Sequence, residues 1–130
     1  MEHIPEKELS IELLNARYNL APFDSDDKEL NDFLKNDALR EQDMLLSKTH
    51  LCFYRDQVAG FITLAADSIR IDRDKLDTSQ VIDSCDYPTY PSILIARLAI
   101  DNRLHGRGIG SYLLALAIGF ALMGRLDADF

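Results

Sequence analysis

Apolar positions along the chain change their spacing several times, and each change marks an element. Glu12–Phe23 (ELLNARYNLAPF) carries an opening strand ended by Pro22. Asp26 and Glu29 then stand at capping-box spacing, and Leu30, Phe33, Leu34, Asp37, Ala38 and Glu41 follow the helical stagger, which predicts an amphipathic helix. From Thr49 to Asp72 the pattern turns to β. Leu51 and Phe53, then Val58, Phe61, Ile62 and Leu64, flank Arg55-Asp56-Gln57 as the arms of a hairpin. Ile69-Arg70-Ile71-Asp72 alternates and either extends the second arm or forms the next strand. Asp72–Ser92 is rich in Asp, Ser, Thr, Tyr and Pro and reads as a long connection with one helical turn around residues 79–82, a candidate substrate-side loop.

Ile93–Ile100 is a nearly continuous apolar run interrupted by Arg97, the pattern of a central strand buried on both faces. Asp101-Asn102-Arg103-Leu104 supplies turn chemistry. His105–Gly110 (HGRGIG) follows, and Ile109–Gly124 is apolar apart from Ser111. A spanning helix needs about twenty apolar residues, so the shorter stretch predicts a buried core helix rather than a membrane span.

With 130 residues, 47% of them hydrophobic, the chain fits one domain over residues 1–130. Its 22 acidic and 14 basic residues give a net charge of -8, an average field that repels phosphate backbones and disfavours broad nucleic-acid binding. Cys52 and Cys85 form no C-x-x-C pair and stand beside no histidine cluster. They read as small hydrophobes, with neither a disulfide framework nor a metal site expected. Met1–Ser10 lacks the basic start and apolar core of a secretory leader, so the expected location is the cytoplasm.

The chemistry concentrates where strand, turn and helix meet. The first amides of a helix have no intrahelical acceptor, and the helix dipole adds partial positive charge, so a diphosphate satisfies both. Gly106, Gly108 and Gly110 let an anion approach the backbone. Arg107 adds charge-assisted contacts, Ser111 a hydroxyl, and Arg103 is a candidate for further phosphates. Alternating glycines also occur in simple turns and in dinucleotide fingerprints. The latter calls for glycines after the first strand and an acidic residue about twenty positions on, whereas this motif comes late.

Strand Arg97-Leu98-Ala99-Ile100-Asp101 followed by His105-Gly106-Arg107-Gly108-Ile109-Gly110 resembles the coenzyme loop of the GNAT acyltransferase family, which reads Gln or Arg, two residues, Gly, one residue, then Gly or Ala. His105 stands where the family has Gln or Arg. Pro22-Phe23-Asp24, Leu30-Asn31-Asp32-Phe33-Leu34 and Gln57-Val58-Ala59-Gly60-Phe61 resemble the subgroup that includes toxin-type acetyltransferases of aminoacyl-tRNA, over about residues 18 to 130.

The resemblance implies an α/β (α+β) fold: a mixed, mainly antiparallel sheet with helices on both faces and the coenzyme strand near its centre. It implies acetyl-CoA as co-substrate, held by Leu98, Ala99, Ile100, Arg103, His105, Gly106, Arg107, Gly108, Ile109, Gly110 and Ser111, and no metal. The reaction it implies is direct attack of a primary amine on the acetyl thioester, with a strand amide stabilising the oxyanion. Family members continue into a further strand and helix that often carry a Tyr near the leaving thiolate, whereas this chain stops at Asp127–Phe130, about where that strand should begin. The acceptor expected first is a small amine or a peptide; charged tRNA is the alternative that the net charge opposes. A second reading is a non-catalytic coenzyme A-binding module. Leu114, Ile118, Ala121 and Leu122 form an apolar outer helix face that fits a homodimer contact.

Other residues carry rival readings. His105 is a coenzyme contact or a solvated loop histidine, and Tyr112 a thiol-side or packing residue. His3 and His50 read as ordinary surface or strand positions. Asp67 and Asp101 are candidate bases whose better reading is a solvated turn carboxylate. Tyr87 and Tyr90, beside Pro88 and Pro91, line an acceptor groove or pack their loop.

Overall fold

A computed structural model describes residues 2–70 and 89–123. Four strands, β1 (Leu9–Leu13), β2 (Lys48–Tyr54), β3 (Gln57–Arg70) and β4 (Thr89–Ile100), form one sheet in sequence order, every described pairing antiparallel. Helices α1 (Lys28–Asp32) and α2 (Ala38–Asp43) are joined by a π-helical stretch, Phe33–Asp37, and α3 (Ile109–Met123) follows β4.

The expected hairpin is present. Its turn places Arg55 and Asp56 at φ of 51° and 64°, the left-handed pair that matches the twist of a tight two-residue hairpin. Ile69 and Arg70 extend the second arm, so β3 runs through to Arg70. Most of the long connection lies outside the described residues, although Thr89–Ser92 belong to β4.

Alternation along β2 and β3 sends two sets of side chains to opposite faces. Leu51 and Phe61 meet Phe23, Phe33, Leu34 and Ala38 on the face covered by α1 and α2. Cys52, Ile62 and Leu64 meet Ile109, Leu113 and Ala117 on the face covered by α3. Helices therefore cover both faces, as the sequence predicts.

Four expectations need correction. The opening strand lies at Leu9–Leu13, starting ahead of the predicted segment and sharing only Glu12 and Leu13 with it, because its partner β2 selects the register Leu9↔Tyr54 through Leu13↔His50. Asp27, not Asp26, caps α1: its Oδ1 accepts from the amides of Glu29 at 2.9 Å and Leu30 at 3.2 Å. β4 is an edge strand of the described sheet rather than a central one, and Leu94 and Ile95 are 50% and 39% exposed. Finally, the predicted core helix α3 is fully buried only along a stripe at four-residue spacing, Ile109, Leu113 and Ala117; Leu114 and Ile118, 41% and 59% exposed, lie on the apolar outer face that the sequence predicts. Among the described residues no helix is long and apolar enough to cross a membrane.

Candidate functional site

β3 bulges beside the end of β4. Cys52 pairs with Gly60 and Phe53 with Val58, which leaves Ala59 as the extra residue in β3. The Ala59 carbonyl accepts the Asp101 amide at 2.8 Å, one position beyond the Gly60↔Ile100 pair, and the chain turns there. Asp101 is 1% exposed, not the solvated turn carboxylate expected from its loop composition. Its oxygens accept from the Arg103 amide at 3.0 Å, from Arg103 Nε at 2.8 Å and Nη2 at 3.1 Å, and from the Asp24 amide at 3.1 Å. Burial alone would raise its pKa. The Arg103 side chain, the two amides and the Arg103 charge outweigh that and hold the carboxyl below the usual carboxylate range. Asn102 N donates to the Asp24 carbonyl at 2.8 Å, so the loop before α1 is fastened to the end of β4.

The glycine turn hangs from this knot. Gly106 and Gly108 take φ of 76° and 89°, a region that side chains rarely adopt. The first helical bond of α3 runs from Tyr112 N to the Gly108 carbonyl at 3.0 Å, so the amides just ahead of Tyr112 have no intrahelical acceptor. A cleft of about 340 Å³ opens over them. It is lined by Ile100, Leu104 and His105 on the strand side, by Gly106, Gly108, Ile109, Gly110 and Ser111 along the turn, and by His3. A second cleft of about 270 Å³ shares Ile100 and His105 with the first and continues along Leu98 and Ala99 to Ser25, Asp26, Asp27 and Leu30. Together they trace a path from the β4 edge to the N-terminus of α3.

The predicted residues do not all face this path. Leu98, Ala99, Ile100, His105, Gly106, Gly108, Ile109, Gly110 and Ser111 line it, although the Ile109 side chain itself is sunk in the core. His105 Nε2 lies 3.3 Å from the Ile100 carbonyl, and Nδ1 lies 4.0 Å from Asp26. Arg103 turns away: besides Asp101 it donates to Gln57 Oε1 at 3.1 Å, and it borders a different cleft. Arg107 also turns away, with Nε donating to the Glu2 carbonyl at 3.1 Å and its guanidinium 5.8 Å from the Tyr54 ring. Tyr112 is half-buried against the core beneath α3. The side chains of Asp67 and Tyr90, and the whole of Tyr87, lie outside the described residues.

Three features escaped sequence reasoning. One is the Asp101 knot. The second is a bulge in β4: Thr63 pairs with Arg97 and Leu64 with Ile95, so Ala96 is the extra residue and breaks the ladder just before the path begins. The third is His3, whose place beside the turn had no local signal.

The chain is 32% identical over 108 residues to a tRNA-acetylating toxin of Mycobacterium tuberculosis (strain ATCC 25618 / H37Rv), covering 78% of this chain and 58% of that protein. The solved complex of AtaT with acetyl-methionyl-tRNAfMet superposes with a TM-score of 0.72 at 29% identity, covering 92% of this chain and 72% of that one. This chain belongs to the GNAT acetyltransferase superfamily. A mutant AtaT toxin bound to acetyl-CoA and the C-terminus of the antitoxin AtaR agrees, with a TM-score of 0.70, 29% identity, and coverage of 92% of this chain and 69% of that one. No family model matches the chain. It spans 58% of the length of the curated relative it matches. Within the GNAT frame, the path along Leu98–Ile100 to Ser111 coincides with the motif through which the sequence resembles the superfamily.

Proposed function

We propose that this protein transfers an acetyl group from acetyl-CoA to the amino group of an aminoacyl-tRNA. One observation carries the coenzyme part: a left-handed glycine turn delivers the unsatisfied amides of α3 to the end of an open-edged strand. The amides around Gly108, Gly110 and Ser111 would take the diphosphate, with the Ser111 hydroxyl as a further donor. The main chain of Leu98, Ala99 and Ile100 would take the pantetheine arm as an added strand, since the β4 edge beside it carries no described neighbour.

In the transfer, the neutral amine attacks the thioester carbon, the carbon–sulfur bond breaks, and the amine proton leaves to solvent or to the departing thiolate. The bulge at Ala96 leaves main-chain groups unpaired beside the arm, and an amide there would stabilise the developing oxyanion. No covalent enzyme intermediate is needed.

The acceptor reading rests on the relatives, which acetylate or bind tRNA. They move the balance from a small amine or peptide to charged tRNA. The net charge of -8 describes an averaged far field and does not decide what a local groove holds. An antitoxin C-terminal segment is the protein partner that the AtaT complex supports.

The test is transfer of radiolabelled acetyl from acetyl-CoA. Label should appear on charged tRNA, not on uncharged tRNA, and leave when the aminoacyl ester is hydrolysed. Transfer only to free amines or peptides would overturn the tRNA assignment, and binding without transfer to any acceptor would reduce the protein to a coenzyme-binding module.

A further inference from the structure

The cation that the turn motif offers is not the one the fold presents. Arg107 is spent on the residues preceding β1: its Nε donates to the Glu2 carbonyl at 3.1 Å, and its own carbonyl accepts the Ile4 amide at 3.0 Å. Ile4 is buried in the core beneath α3, which pins this segment from a third point. His3, between the two anchored residues, is thereby laid on the glycine turn. A Cβ on Gly108 would lie 2.9 Å from His3 Nδ1 and 3.0 Å from Cγ, so the ring packs directly against that glycine. His3 borders the cleft, is exposed to it, and has neither ring nitrogen committed to a described hydrogen bond.

His105 borders the same cleft, so the side chains of its lining able to donate to an anion are two imidazoles and the Ser111 hydroxyl. We propose that His3 is a diphosphate-binding residue of the coenzyme site, and that Arg107 is a positioning residue that acts by clasping the segment carrying it. The inference rests on the acetyl-CoA reading above. It assigns the phosphate-facing donor to a residue far from the motif, and it removes that role from the motif's own arginine. Glycine at 108 then serves two ends: it adopts the left-handed φ, and it leaves room for the His3 ring.

The experiment measures affinity by calorimetry for acetyl-CoA and for S-acetylpantetheine, which lacks the diphosphate, with the full chain and the variants His3→Ala, His3→Gln, Arg107→Ala and the His3→Ala/Arg107→Ala pair. His3→Ala should weaken acetyl-CoA binding roughly tenfold, as loss of one charge-assisted contact would. His3→Gln should recover part of it, and S-acetylpantetheine affinity should not change. Arg107→Ala should weaken acetyl-CoA binding too, and the pair should be no weaker than His3→Ala alone, because the arginine works through the histidine. Unchanged acetyl-CoA affinity in His3→Ala overturns the proposal, and so does equal loss for both ligands. If the unmodified chain binds neither ligand, the acetyl-CoA reading itself has failed.

Discussion

The two faces of the sheet are built from different materials. Under α1 and α2 the core is aromatic and closed: Phe61 meets Phe23 edge-on at 5.7 Å and Phe33 in a stacked contact at 6.3 Å, and Arg97 covers the Phe33 ring at 3.8 Å. Thr49 and Thr63, buried in the same layer, satisfy each other at 2.8 Å. Under α3 the residues are smaller and include titratable groups. Burial pushes the Cys52 thiol up to about 11, and burial, then the Lys48 charge, lowers His50 from an ordinary 6.5 to about 4. His50 packs at 5.2 Å from Phe120. The first face is the more aromatic; the second carries α3, at whose N-terminus a cleft opens.

The largest expected effect breaks the first face. Phe61→Ala removes the ring shared by both aromatic contacts and should cost about 3–5 kcal/mol in chemical denaturation. A cost below about 1 kcal/mol would show that this face is not the stabilising one.

Acid should act through the other face. The unfolded chain protonates His50 near 6.5, whereas the folded chain resists until about 4. The stability contribution is therefore full above the unfolded value and drains as pH falls through this window, by roughly 3 kcal/mol. Denaturation midpoints measured from pH 7 to pH 4 should show that slope, and His50→Gln should flatten it. Hydrogen exchange should rise first in α3, and a rise that begins in α1 and α2 would contradict the division.

A smaller effect in stability sharpens the comparison in function. Gly108→Ala forces a side chain into a left-handed φ and against the His3 ring, at about 1–2 kcal/mol of strain. The fold should survive while acetyl-CoA affinity drops about tenfold or more. Retention of full affinity would mean that the turn does not receive the coenzyme.

The hairpin, the α1 start within a residue, and the Gly-rich turn were legible because each depends on neighbours a few positions away. Turn glycines, an Asx cap and alternating β-formers act through local φ, ψ and hydrogen bonding. The same reasoning misplaced β1, because register is chosen by the partner strand. It also made β4 central, since an apolar edge strand and a buried one have the same composition. Asp101 read as a solvated carboxylate because nothing nearby in sequence announces that the Ala59 bulge and Asp24 would close over it.

What the sequence determined by itself was the presence of an anion-ready helix start: glycine spacing ahead of an apolar helix is sufficient to leave amides unsatisfied. Which side chains face that start was decided only by the tertiary structure. Arg107 and Glu2 are 105 residues apart, and their contact turns the motif's cation away while it brings His3 in. Side-chain direction at a turn depends on whatever packs against it, and contacts at that separation leave no trace in local pattern.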